Sequence, residues 1–220
     1  MGKTVYQPSH HREDRLEVQH ALIRTYPLAA LVTLGEEGLV ANHIPFILDA
    51  GAGAFGTLRG HVARANGQWR DVRREVEALV IFQGPQHYIT PSWYATKQET
   101  GKVVPTWNYA VVHAYGVLRA IEDGDWLKDQ IERLTALQEG VRDAPWAVSD
   151  APGGFIEAMM KAIVGIEIEI TRMEGKWKVS QNLRAADRRG VAEGLRAGGV
   201  QESEESRAMA QLVEAFSPKS

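Results

Sequence analysis

The chain has 220 residues, with 25 Lys and Arg against 28 Asp and Glu, a formal net charge of −3 and 44% hydrophobic residues. This is the composition of a globular protein, and it excludes a strongly basic nucleic-acid-binding coat. The absence of Cys excludes disulfides, thiolate metal ligands and a Cys nucleophile. The start is too polar for a secretory signal and no apolar run approaches the roughly 20 residues of a membrane span, so we expect a cytoplasmic protein without membrane contact.

The N-terminal part predicts one helix followed by a sheet. Ser9 is a candidate N-cap for a helix over residues 10–25, which Pro27 would end. From Ala29 onward, apolar stretches separated by short Gly-containing turns predict an antiparallel meander. The predicted strands cover residues 29–34, 39–48, 55–63 and 76–82, with a helix or loop over 66–74.

The middle of the chain predicts a long loop and then mixed structure. The segment Gly84–Pro105 holds three Pro and two Gly, which predicts an irregular loop rich in aromatic residues. A strand over 109–121 follows, and Asp123 or Asp125 can cap a helix that ends near Gly140. A second, shorter helix is predicted over 155–163.

The C-terminal part predicts a hairpin and two helices. Residues 165–172 alternate Ile with polar side chains, which predicts a half-buried strand, paired with residues 176–179 across Glu174–Gly175. Beyond it we expect one helix that ends near Gly198–Gly199 and another around Met209. The fold class is therefore mainly β with peripheral helices, one barrel-like domain over 1–199 and a helical tail over 200–220.

Several motifs of common enzymes are missing or out of context. Gly51–Gly56 satisfies G-x-G-x-x-G, but the following residues have strand character, so we interpret it as a hairpin loop and not as a dinucleotide site. The seven His residues lack metal-binding spacing, and no nucleophile elbow is present. Neither a metal site nor a zinc or serine hydrolase is predicted.

Two other patterns point toward a ligand and leave an alternative open. The segment Leu58–Arg74 holds five Arg and one acid, which suits a phosphate or a solvated face that pairs with Glu75 and Glu77. The aromatic residues near the predicted loop can stack on a planar ligand or cover a subunit interface. These aromatic residues are Trp93, Tyr94, Trp107, Tyr109 and Tyr115.

The chain closely resembles the PaiB-type FMN-binding negative transcriptional regulators over residues 4–199. The most specific motifs are Pro-Ser-Trp-Tyr at 91–94 and Pro-Thr-Trp-Asn-Tyr at 105–109. Further matching segments are 6–8, 42–46, 60–66, 112–116 and 177–182. The chain departs from the family pattern at Gly67, where Pro is expected, and residues 200–220 have no counterpart.

This resemblance implies a split β-barrel related to pyridoxamine-phosphate oxidases and flavin reductases, which forms a homodimer with FMN at each end of the subunit interface. The residues implied along the isoalloxazine edge are Asn42, His43, Ile44 and Pro45. Those implied at the ribityl chain and phosphate are Gly60, His61, Ala63, Arg64 and Asn66, with Arg64 as the main anion partner. The partner subunit would add Lys102, Thr106, Trp107 and Asn108, and the 177–182 segment would bring Lys178, Ser180 and Gln181. Packing within the barrel would by itself also explain why Pro45 and Gly60 occupy these positions, without any contact with FMN.

Three functions follow from these observations. The first is an FMN-binding negative transcriptional regulator that acts indirectly or through a partner, because no helix-turn-helix is present and the charge balance is acidic, so direct DNA binding is doubtful. The second is a flavin-dependent oxidoreductase or flavin reductase acting on a small molecule, for which no catalytic acid or base can be named. Haem with an axial His has the least support, because no His has a distinguishing context.

Overall fold

The computed structural model describes residues 5–197 and 203–216. Its strands are β1 (Arg12–Glu13), β2 (Leu28–Gly35), β3 (Gly38–Pro45), β4 (Ile47–Asp49), β5 (Thr57–Ala63), β6 (Ala78–Ile89), β7 (Thr106–Gly116), β8 (Leu118–Ile121), β9 (Ile163–Glu169) and β10 (Arg172–Lys178). Its helices are α1 (Leu16–Thr25), α2 (Gln68–Asp71), α3 (Ala95–Thr100), α4 (Gly124–Glu139), α5 (Phe155–Met160), α6 (Ala185–Ala197) and α7 (Glu204–Ala215).

The chain divides into two compact units. Within the described residues, unit 1 comprises 5–22, 83–112, 174–197 and 203–216, and unit 2 comprises 23–82 and 113–173. No helix in the described part of the chain combines the length and apolarity that crossing a membrane would require.

Unit 2 is built from antiparallel strands. β2 pairs with β3 along its full length, from Leu28 opposite Pro45 to Gly35 opposite Gly38, and its other edge pairs with the start of β6. A second sheet has the order β4-β5-β9-β8. The predicted alternation in β9 is confirmed, because Ile166 and Ile168 are fully buried whereas Glu169 is exposed. The predicted cap is confirmed as well, since Asp123 Oδ1 accepts a hydrogen bond from Trp126 N at 2.8 Å at the start of α4.

Unit 1 combines strands in the order β1-β10-β7-β6 with helices α3, α6 and α7 and most of α1. Helices α6 and α7 pack on each other and bury Leu195, Met209 and Val213 almost completely. The predicted helix around Met209 is therefore confirmed, and the end predicted at Gly198–Gly199 lies outside the described residues.

The predicted helix over 10–25 is wrong at its N-terminal end. The helix begins at Leu16, and Ser9 opens a short 3-10 turn in which its side chain caps nothing. Glu13 explains the later start, because its carboxylate accepts hydrogen bonds from both the backbone N and the guanidinium of Arg15. The residues before it form β1, which pairs with β10.

The irregular loop predicted over 84–105 is also wrong for much of its length. β6 continues through Gly84 and Pro85 to Ile89, and α3 occupies 95–100. Gly84 marks close packing, because a Cβ there would lie 2.9 Å from Leu22 Cδ1 and 3.2 Å from the carbonyl oxygen of Ala110. The same glycine that suggested a break thus lets the strand approach its neighbours.

Three predicted strand boundaries need correction. The strand predicted over 39–48 is interrupted at Phe46, whose backbone N donates to Pro27 O at 2.9 Å, so β3 and β4 are separate. The strand predicted over 109–121 is divided at Val117 into β7 and β8. The hairpin predicted across Glu174–Gly175 is wrong: β9 lies between β5 and β8, whereas Gly175 is inside β10 and pairs with Glu13.

Candidate functional site

Unit 1 contains a pocket of about 450 Å³. We call it the lysine pocket. It is lined by His11, Tyr94, Thr96, Lys102, Val103, Val104, Thr106, Asn108, Lys178, Ser180, Asn182, Leu183, Arg184 and Asp187. Five of these residues belong to the site predicted from the sequence, namely Lys102, Thr106, Asn108, Lys178 and Ser180.

The neighbouring strands β7 and β10 fix the polar side chains of the pocket. Lys178 Nζ donates hydrogen bonds to Thr106 Oγ1 and, at 2.9 Å, to the carbonyl oxygen of Trp107. Asn108 and Ser180 are buried, and Asn108 Nδ2 donates to Ser180 Oγ at 2.9 Å. Ser180 has φ of 67°, a left-handed backbone conformation that costs free energy for any residue other than Gly. Strain of this kind is concentrated at ligand and active sites.

The charge of the lysine pocket favours an anion. Lys102, Lys178 and Arg184 line it together with a single acid, Asp187. Burial alone would raise the pKa of Asp187, but hydrogen bonds from Thr96 N at 2.9 Å and Thr96 Oγ1 at 2.7 Å, with the charge of Arg184, hold that pKa below 3.8. The carboxylate is thus ionised, and it already accepts two hydrogen bonds from Thr96.

Nine lining residues of the lysine pocket are not among the FMN-site residues predicted from the sequence, and they include His11, Tyr94, Arg184 and Asp187. His11 is buried, and its Nδ1 lies 3.1 Å from Gln181 Oε1. Burial raises the pKa of the Tyr94 phenol, as do Asp187 and Tyr88. Their partners lie far away in the sequence, 170 residues from His11 and 91 from Asp187, so no local signal marks them.

In unit 2, the predicted isoalloxazine-edge residues Asn42–Pro45 form the end of β3, the outermost strand of its sheet. Ile44 is buried and His43 is exposed. Asn42 Nδ2 donates to Gln68 Oε1 at 2.8 Å, and Gln68 Nε2 donates to Leu31 O and Thr33 Oγ1 at 3.0 Å each. Asn42 is therefore held by a buried amide network.

The predicted residues of β5 lie directly against this segment. A Cβ on Gly60 would lie 3.2 Å from Pro45 O and 3.2 Å from Ile44 Cγ2, so the glycine is needed for the strands to approach. Next to it, His61 Nδ1 is buried and has no hydrogen-bond partner among the residues that the structure describes. Burial lowers the pKa of His61, which favours a neutral imidazole. Ala63 ends the strand and is exposed.

Arg64 is the residue predicted as the main anion partner. Its guanidinium is 41% exposed and forms an ion pair with Glu122. Its Nε also donates to Lys161 O at 3.1 Å and its Nη2 to Ile163 O at 3.3 Å. Asn66 Oδ1 accepts a hydrogen bond from Gln68 N at 3.0 Å and so starts α2.

The sequence-predicted residues thus fall into two groups. Those between Asn42 and Asn66 lie in unit 2, and those from Lys102 to Gln181 lie in unit 1. Two of the second group do not line the lysine pocket: Trp107 is 53% exposed, and Gln181 holds the β10 backbone through Val179 N and Trp177 O. Their roles in binding FMN stay predictions.

Both groups have the chemistry that FMN requires. The lysine pocket supplies cations and buried polar side chains beside apolar Val103 and Leu183. In unit 2, His61 offers a buried ring nitrogen with no hydrogen-bond partner in the described part of the chain, which a bound ligand would satisfy. A flavin phosphate is a dianion on a planar, mostly apolar ring system, so these residues fit the group.

Comparison with known proteins identifies the family. The family described as "Putative FMN-binding domain" matches residues 5–172, and the chain belongs to it. An uncharacterized protein of Emericella nidulans is 39% identical over 87% of this chain and 90% of its own. The protease synthase and sporulation protein PAI 2 of Bacillus subtilis is 30% identical over 96% of this chain and 97% of its own.

Solved structures agree on the fold. A conserved hypothetical protein of Mycobacterium tuberculosis superimposes with a TM-score of 0.57 at 13% identity, over 82% of this chain and 94% of its own. The resemblance inferred from the sequence motifs is confirmed, and so is the fold class, an FMN-binding split barrel with peripheral helices. FMN is the cofactor that this membership supports.

Proposed function

We propose that two copies of this chain bind FMN between them, with the Asn42–Asn66 group of one copy facing the lysine pocket of the other. The observation that carries this proposal is the lysine pocket itself, which gathers five of the predicted residues in a positively charged space of about 450 Å³. Exposed apolar side chains support a dimer. Leu28 and Leu39 of the β2–β3 hairpin are 60% and 78% exposed, and Val104 and Trp107 beside the pocket are 74% and 53% exposed.

Arg64 binds the FMN phosphate in this proposal. Its present partner Glu122 is 58% exposed, and exposed ion pairs contribute little free energy. A phosphate dianion, which accepts two parallel hydrogen bonds from a guanidinium, can therefore replace Glu122 at small cost. The contacts of Arg64 with Lys161 O and Ile163 O would keep the side chain in place during this exchange.

An FMN titration followed by flavin fluorescence tests the proposal. Arg64→Ala and Lys178→Met should each weaken FMN binding by about 1.5–3 kcal/mol, the value of a charge-assisted hydrogen bond. Glu122→Gln should bind FMN at least as tightly as the wild type, because it removes the competitor for Arg64. Lys128→Met, a change at an exposed lysine of α4, serves as the charge-matched control. Unchanged affinity in both Arg64→Ala and Lys178→Met would contradict the proposed site.

The biological role that we propose is negative regulation of gene expression through bound flavin. The similarity to PAI 2, a protein named for protease synthesis and sporulation, supports this role. The net charge of −3 argues against direct reading of DNA, which needs a basic surface. Binding to the protein's own upstream DNA that weakens steeply with salt would contradict indirect regulation.

Flavin-dependent reduction of a small molecule is the second candidate function. The lysine pocket favours it, because the pocket holds polar groups such as His11 and Tyr94 beyond those predicted for FMN. Anaerobic mixing of the FMN-loaded protein with NADH or NADPH separates the two functions. Rapid bleaching of the flavin absorbance would support the oxidoreductase, and a flavin that stays oxidised with both donors would support the regulator.

A further inference from the structure

His11 is a buried imidazole in the wall of the lysine pocket, and its hydrogen bonding fixes which ring nitrogen carries the proton. Gln181 Oε1 accepts a hydrogen bond from Val179 N at 2.8 Å, while Gln181 Nε2 donates to Trp177 O. The orientation of this amide is therefore set by the backbone. Since Oε1 can only accept, the contact of 3.1 Å between Oε1 and His11 Nδ1 requires a proton on Nδ1.

The other ring nitrogen of His11 is consequently an acceptor. Burial lowers the pKa of His11, the hydrogen bond to Gln181 opposes this effect, and the charges of His10, Lys178 and Lys176 lower it further. The imidazole is thus neutral, with its lone pair on Nε2. Gln181 does not line the lysine pocket whereas His11 does, and Nε2 has no hydrogen-bond partner within the ranges 5–197 and 203–216.

Lys178 supplies a donor in the same pocket. An ammonium group has three N–H donors, and among the described residues Lys178 uses two of them, on Thr106 Oγ1 and on the carbonyl oxygen of Trp107. One N–H is left for a ligand. Both Lys178 and His11 line the lysine pocket. The pocket wall thus offers both a donor and an acceptor.

We propose that His11 and Lys178 recognise the imide end of the flavin ring, with His11 Nε2 accepting a hydrogen bond from N3–H and Lys178 Nζ donating to an adjacent ring carbonyl. This inference rests on the proposed function, in which FMN enters the lysine pocket. The imide end presents a carbonyl, an N–H and a second carbonyl in a row, which complements a pocket wall that holds both a donor and an acceptor. In this proposal His11 determines specificity for the flavin ring, whereas Arg64 binds the phosphate.

A cation next to the flavin carbonyls also acts on the electronics of the ring. Positive charge near this end stabilises the electron-rich, reduced form relative to the oxidised form. Lys178 is held in place by two hydrogen bonds, so its charge would be fixed with respect to the ring. Lys178→Met should therefore make bound FMN harder to reduce, in addition to weakening its binding.

The test compares FMN with FMN methylated at N3, which keeps the ring and the phosphate but has no N3–H. Wild-type protein should bind FMN roughly tenfold more tightly than the methylated analogue, the effect of one hydrogen bond. His11→Phe, which keeps the aromatic volume without an acceptor, should bind both flavins equally weakly. His11→Gln, whose Oε1 reaches toward the position of Nε2, should recover part of the discrimination.

The outcomes separate this inference from the proposed function. If wild-type protein binds FMN but binds the methylated flavin equally well, His11 does not accept from N3–H and the inference is overturned, whichever variants fold. The same holds if His11→Phe discriminates like the wild type. If wild-type protein does not bind FMN at all, the proposed function fails and this inference fails with it. Arg64→Ala is the control, because it should weaken both flavins without changing their ratio.

Discussion

A buried ring nitrogen that has no hydrogen-bond partner among residues 5–197 and 203–216 makes His61 sensitive to pH. Its pKa in the folded protein lies below the ordinary 6.5 because burial disfavours the charged form. As pH falls through 6.5, the unfolded chain takes up a proton that the folded protein does not, so stability is complete above 6.5 and decreases below it. Urea unfolding should therefore show a smaller loss of stability between about pH 7.5 and 5.5 in His61→Gln than in the wild type. Equal losses in the two proteins would argue that His61 is not protonated on unfolding.

Asp187 is a buried acid of unit 1 whose loss should be costly. Its ionised carboxylate accepts two hydrogen bonds from Thr96, and a neutral amide would replace them poorly. We expect Asp187→Asn to destabilise the protein by about 1–3 kcal/mol at neutral pH. The contribution is present above the unfolded pKa of 3.8 and is lost as pH falls through the lowered pKa of the folded state.

The matched control for Asp187 is Glu99→Gln. Glu99 pairs with the same arginine, Arg184, but both side chains are about half exposed, so this change should cost less than about 0.5 kcal/mol. Chemical denaturation of the two variants at neutral pH measures the difference. Equal losses of stability in Asp187→Asn and Glu99→Gln would indicate that the hydrogen bonds from Thr96 stabilise the fold without needing the charge of Asp187.

At the scale of elements, the packing of α6 on the segment after β6 depends on a glycine. A Cβ on Gly190 would lie far inside van der Waals distance of the carbonyl oxygen of Trp93, a backbone atom that cannot turn away. Gly190→Ala should therefore destabilise the protein by about 1–3 kcal/mol, although Ala favours a helix. Gly124→Ala at the start of α4 has open space around its Cβ and should be neutral or slightly stabilising. Thermal unfolding distinguishes the two, and equal melting temperatures would contradict this packing.

The sequence predicted those elements whose signal is local. The alternation in β9 and the cap of α4 each lie within a few neighbouring residues, and both are confirmed. β1 and β10 were not recognised as partners, because they are distant in sequence and β1 has only two residues. Gly84 and Gly175 were interpreted as breaks, since a sequence cannot distinguish a glycine that turns the chain from one that allows close packing.

The same limit applies to the candidate site. Lys102, Thr106 and Lys178 could be named because they lie in segments that resemble a known family, and the structure brings them to one pocket. His11 could not be named, because its role depends on an amide 170 residues away that fixes its tautomer. The role of a residue that depends on a partner distant in the sequence can be recognised only from the folded structure.

At the scale of the whole molecule, the proposed site, shared by two copies, would couple FMN binding to dimer formation. A ligand that contacts both subunits binds the dimer more tightly than the monomer, and the coupling is reciprocal. FMN should therefore shift a dilute sample from monomer toward dimer in sedimentation velocity, and FMN affinity should rise with protein concentration. At about 100 times its dissociation constant FMN should also stabilise the fold by about 2.7 kcal/mol. Arg64→Ala should show a weaker shift at the same FMN concentration, and a monomer that retains stoichiometric FMN would contradict the shared site.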